Sequence, residues 1–121
     1  MSDAPLFAAG RSGMISLPAE TQFAPNGIVS RTLLQTDTLR VVLFGFDAGQ
    51  ELTEHTAPYH ALVQILSGQC RFMLEGKTHE LRAGDALYMA PGAPHAVRAT
   101  RRFSMLLTLG KPVPAAPPPA D

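Results

Sequence analysis

The chain has 121 residues, enough for one hydrophobic core and too few for two ordinary domains, so any function has to fit on a single scaffold. Ten Lys plus Arg balance ten Asp plus Glu, and the one clustered basic pair is Arg101 and Arg102, which argues against a nucleic-acid partner. The longest apolar stretches, 41–46 and 61–66, have strand length, far below the ~20 residues of a membrane helix, so no membrane partner is expected.

Residues 1–27 mix Gly, Pro, Ser and Ala with single hydrophobics such as Phe7, Ile15 and Phe23, and keep neither a helical nor an alternating pattern. They read as an arm or short edge strands. The opening residues lack a basic stretch followed by an apolar one, so no signal peptide is expected. Strand-like runs then follow at 28–35, 39–46, 61–66, 70–74, 78–81, 86–89, 96–99 and 103–109. Turn chemistry separates them: Thr36 to Thr38, Asp47 to Gly49, Ser67 and Gly68, Glu75 and Gly76, Ala83 and Gly84, and Ala90 to Gly92. Glu75 and Gly76 predict a tight hairpin. No stretch of ten or more residues keeps a 3.6-residue period, so residues 28–110 are expected to form an all-β barrel or sandwich. Residues 111–121 carry five prolines, which cannot donate to a ladder, and read as a disordered tail.

Many of these runs are apolar on both faces. One face would line a core or cavity, and the other would meet a second sheet or a second subunit. With the unpatterned arm, this predicts a homodimer joined by sheet packing and arm exchange. Cys70 is the sole cysteine and cannot form an internal disulfide, which agrees with a reducing, cytoplasmic setting. With no clear basic neighbour it reads as a small apolar filler.

Two stretches carry more specific information. The first runs from Gly49 through five residues to His55, then through Ala57 and Pro58 into an apolar strand that closes at Gly68. The second runs from Gly84 through a strand to Pro91 and Gly92 and on to His95. In spacing they resemble the two motifs of the cupin superfamily. The resemblance covers Gly49 to about Ala99, and the flanking strands extend it to about 28–109. It implies a cupin jelly-roll β-barrel, also called a double-stranded β-helix, with a small-molecule ligand in its interior.

The departures from that pattern are equally specific. The first motif's second histidine would fall on Ala57 and its glutamate on Ala61, and neither alanine can bind a metal. The asparagine sometimes found after the last histidine falls on Ala99, and the first proline of the second motif falls on Ala90. What the resemblance leaves of a metal site is His55 and His95, which regular alternation points into the barrel. A divalent cation such as Zn, Mn, Fe or Ni accepts imidazole nitrogen but wants three or four protein ligands. His60 could be re-aimed toward the pair by a bulge near Pro58, or else sits at the rim. Gln64 could offer its carbonyl oxygen as a further ligand, or bond across an interface. The alternative to a metal is a pair of cavity histidines bonded to backbone or water.

Three functions therefore stay open. The first is a metal-dependent oxygenase, isomerase or lyase with His55 and His95 as the catalytic centre. The second is a metal-free enzyme, epimerase-like, using one of these histidines as acid or base. The third is a ligand-binding or sensing module without turnover. No Ser-His-Asp order, phosphate loop or dinucleotide fingerprint is present, so those reaction classes drop out.

Overall fold

The computed structural model describes residues 4–111, so the expectation for the proline-rich tail falls almost wholly outside the described residues. Nine strands follow a short helix: α1 (Leu17–Glu20), β1 (Ile28–Gln35), β2 (Leu39–Phe46), β3 (Glu51–His55), β4 (His60–Ser67), β5 (Gln69–Leu74), β6 (Lys77–Arg82), β7 (Ala86–Met89), β8 (His95–Ala99) and β9 (Phe103–Gly110). They form two antiparallel sheets, ordered β1-β2-β9-β4-β7 and β3-β8-β5-β6, the layered arrangement of a jelly roll. The β5–β6 hairpin turns on Glu75 and Gly76, both at positive φ, as the sequence predicted.

Alternation along β4 shows how the sequence selects the inner face. Ala61, Val63 and Ile65 are buried, while His60, Leu62 and Gln64 between them are exposed. The partners in register extend this choice across the sheet, because directly opposed residues share a face. The inner faces of both sheets enclose one core that includes Phe46, Val63, Cys70, Phe72, Phe103 and Met105. Phe46 stacks on Phe103 with ring centroids 4.5 Å apart. Burying each of these large side chains contributes about 1.5–3 kcal/mol, which makes this layer the main source of the barrel's stability.

The apolar outer face of β1 and β2 is covered by the chain's own N-terminal arm. Leu6 and Phe7 donate backbone hydrogen bonds to the carbonyls of Thr32 and Leu33. Ser16 caps α1, and Glu20 at its end accepts from Arg31 at 2.7 Å. Gly45 lies directly beneath the arm: a Cβ there would run into the carbonyl oxygen of Gln22. The arm thus needs a strand residue without a side chain at this point. Part of the two-sided apolar character is therefore satisfied within one chain, with the arm on its own barrel.

Candidate functional site

His55 ends β3, an edge strand with the sequence Glu-Leu-Thr-Glu-His and one apolar residue. Leu52 pairs with Val97, and His55 pairs with His95, so three steps on β3 match two on β8. This irregularity decides the site. Leu52 shares the inner face with buried Val97, and unbroken alternation would turn His55 outward. The extra residue between them resets the phase and brings His55 beside His95 on the inner face. The two rings lie with centroids 4.2 Å apart and planes inclined at 59°. His95 also stacks against Phe72, at 6.2 Å and 15°, which restrains its ring from the core side.

Each ring is held by the carbonyl two residues before it. His55 Nδ1 lies 2.8 Å from Thr53 O, and His95 Nδ1 lies 2.9 Å from Ala93 O. A carbonyl oxygen can only accept, so in both neutral rings Nδ1 carries the hydrogen and Nε2 keeps its lone pair. This is the orientation that outer partners impose on metal-binding histidines.

Facing the pair across the barrel is an inner row from the other sheet. Leu109 pairs with Ala61, and Ala61 pairs with Met89. These residues, with Ala57, Tyr59 and the two histidines, help to line a cavity of about 120 Å³. The positions aligned with the family's missing ligands, Ala57 and Ala61, both lie on its wall, where they leave it apolar.

His60 and Gln64 do not join this site. Residues 61–64 pair in continuous register with 86–89, so no bulge re-aims β4 there. His60 is exposed on the outer face, its Nδ1 2.7 Å from the Tyr88 hydroxyl. Gln64 is exposed on the same face, opposite Leu106 and Ala86, and needs no buried partner. Among the described residues no group of three or more His, Cys, Asp or Glu could hold a metal ion.

With this geometry in place, the Cupin domain family matches residues 42–108, more than half of the chain. The chain belongs to the cupin family. No curated protein matches it. Among solved structures, this cupin is similar to a conserved protein of unknown function from Streptococcus pyogenes, with 34% identity over 85% of this chain and 90% of the other and a TM-score of 0.78. A cupin superfamily protein from Desulfitobacterium hafniense shares the fold at 24% identity, covering 90% of this chain and 100% of the other, with a TM-score of 0.79. A DMSP lyase from Ruegeria pomeroyi is 26% identical over 74% of this chain, which spans 49% of the lyase, with a TM-score of 0.66.

Two further residues complete the account of this cupin's interior. Cys70 is fully buried in the core, and burial, with smaller contributions from Glu80 and Asp85, pushes its thiol up to about 12. It stays protonated and acts as the filler the sequence suggested. Tyr59 was not singled out by the sequence, because it sits in the bend before β4 where no periodic pattern points it inward.

Proposed function

We propose that the protein binds a small organic molecule inside the barrel, and that His55 and His95 hold a divalent cation beside it, with the cation's remaining positions open to water or to a donor atom of the molecule. The observation that carries this reading is the pair of Nε2 lone pairs, each set by a backbone carbonyl, presented from adjacent strands at one cavity wall. The donors suit Zn, Mn, Fe or Ni as two neutral imidazoles, fewer than the three or four protein ligands of a self-sufficient site. When bound, such a cation supplies Lewis-acid polarisation of a ligand oxygen. The chain's own part is to fix the two nitrogens, to line the core side of the cavity with Met89, Leu107 and Leu109, and to leave space for the ligand beside Ala57 and Ala61, while His55 stays open to solvent. Lyase, isomerase and oxygenase chemistry are the classes open to such a centre, and a lyase among the similar structures supports the first.

A second reading is favoured by the apolar wall itself. Without a cation, either Nε2 can accept a proton from a ligand hydroxyl or an activated C–H, with the carbonyl behind the ring stabilising the protonated form. The barrel then works as a histidine-based isomerase or, without turnover, as a binding module.

Equilibrium dialysis against each metal, followed by elemental analysis, separates the two. The expected result is one cation per chain in the wild type, weakening in acid as the imidazoles take up protons. His55→Ala and His95→Ala should each remove it while leaving the fold intact. No cation in the wild type, together with full occupancy in a variant carrying Ala57→His and Ala61→Glu, would overturn the metal reading in favour of the second.

A further inference from the structure

We propose that the barrel's ligand is a small organic acid, its carboxylate held at Arg40 in the barrel mouth and its apolar body in the cavity beside the histidine pair. This rests on the reading of the barrel as a ligand site and adds the class of ligand.

The inner row that carries Ala61 does not end at Leu109. Arg40 pairs with Leu109, so Arg40, Leu109, Ala61 and Met89 stand side by side across β2, β9, β4 and β7 and share the inner face. Arg40 is the row's one charged member, followed only by Gln35 on the edge strand β1. It contributes to a second space, of about 160 Å³, with Lys111, Thr36 and Thr38. Tyr59 and Leu109 line both spaces, so the cationic mouth and the apolar cavity share a boundary made of one loop side chain and one leucine.

The charge at this mouth is one-sided. Among the described residues, none of the four ion pairs uses Arg40 or Lys111, and the one hydrogen bond of the Arg40 guanidinium is a long one, 3.5 Å, to Thr32 Oγ1. Among the described residues no Asp or Glu lines either space; Asp37, in the adjoining turn, is outside both linings. A guanidinium presents a planar fork that matches a carboxylate, and two cations at a cavity entrance draw anions to it. The inner cavity sets the size of the rest. A space of about 150 Å³ holds benzene, so one of about 120 Å³ takes a smaller branched or linear hydrocarbon body.

The test uses 3-methylbutanoate and its neutral isostere 3-methylbutanamide as probes, in buffer containing a chelator so that no cation takes part. Binding is followed through the Met89 methyl resonance of protein labelled at methionine methyls. The acid should bind the wild type at least about ten-fold more tightly than the amide, the scale of a charge-assisted hydrogen bond. Arg40→Gln should erase that preference with Met89 still responding. Equal binding of acid and amide, or a preference that survives Arg40→Gln, would overturn the assignment of the acid and leave the barrel reading standing. A Met89 signal unmoved by either probe would overturn both.

Discussion

Ala61→Glu places a carboxylate on the inner row between Leu109 and Met89, in the cavity that His55 and His95 also line. Ala61 is only 5% exposed, so the new group is largely removed from water, although the cavity of about 120 Å³ gives it room. In the absence of a cation it shares the cavity with the Tyr59 side chain and with two Nε2 atoms that accept hydrogen bonds. To pair with a histidine the carboxyl has to stay protonated or the ring has to take up a proton, and Tyr59 can offer the carboxylate only one hydroxyl. Either route costs about 1–3 kcal/mol. For a domain of this size that corresponds to a fall in Tm of roughly 3–6 °C per kcal/mol. With a cation the same substitution supplies a third donor, the number found in catalytic zinc sites. Saturation at a hundred times Kd would return about 2.7 kcal/mol. Thermal unfolding of wild type and variant, in chelator and in Zn or Mn, reads both effects. The variant should melt below the wild type in chelator and recover most of the loss with metal, and adding His55→Ala should abolish the recovery. A variant that melts like the wild type in chelator and ignores metal would refute the inward placement of Ala61.

Gly68 has φ +76°, and a Cβ there would collide with the Arg102 carbonyl and come within 2.7 Å of Phe103 Cα; Gly76 has φ +77° with open space around it. Gly68→Ala should therefore cost at least about 3 kcal/mol and Gly76→Ala about 1 kcal/mol, and similar denaturant midpoints for the two would contradict this. Asp47 is held below the usual carboxylate range, first by the backbone N–H of Asn26 and then by that of Ala48, with Arg102 adding a smaller attraction. Its contribution is present above the ordinary carboxylate pKa and is lost as pH falls through the lowered folded value, so Asp47→Asn should flatten the acid limb of the stability curve. An unchanged acid limb would show that other carboxylates carry it. The exposed Leu62 and Tyr88, paired on the outer face of β4 and β7, mark where the expected homodimer would join, and light scattering that reports a monomer across micromolar concentrations would refute it.

Strands with full apolar alternation were readable to within a residue at either end. β1, β2 and β7 coincide with the runs inferred from sequence, and β4, β5, β6, β8 and β9 extend by one residue at one end or both. β3 was not readable as a strand, because Leu52 is its only hydrophobic residue and an edge position asks for no more. His55 and His95 were found through motif spacing and expected on the inner face, yet counted from Leu52 alternation would turn His55 outward, and the bulge that restores the inner face leaves no mark in composition. For His60 and Gln64 the parity of β4 was the better guide, and the unbroken register follows it. His79 is half-buried opposite Phe72, although the nearby Lys77 and Glu80 suggest an exposed strand. The docked arm left one trace in the sequence, the glycine within β2, whose meaning depends on a contact with Gln22 far away in the chain.

Because the carbonyls of Thr53 and Ala93 belong to the main chain, no side-chain substitution can delete the acceptors that fix the two imidazoles. The aim of the histidine pair is thereby separated from the make-up of the walls around it. Ala57 and Leu107, which are only partly buried, can be exchanged for residues of other sizes, and both acceptors stay in place as long as β3 and β8 stay paired. For redesign, the pair is a fixed two-point anchor in a chamber whose lining can be rewritten one residue at a time.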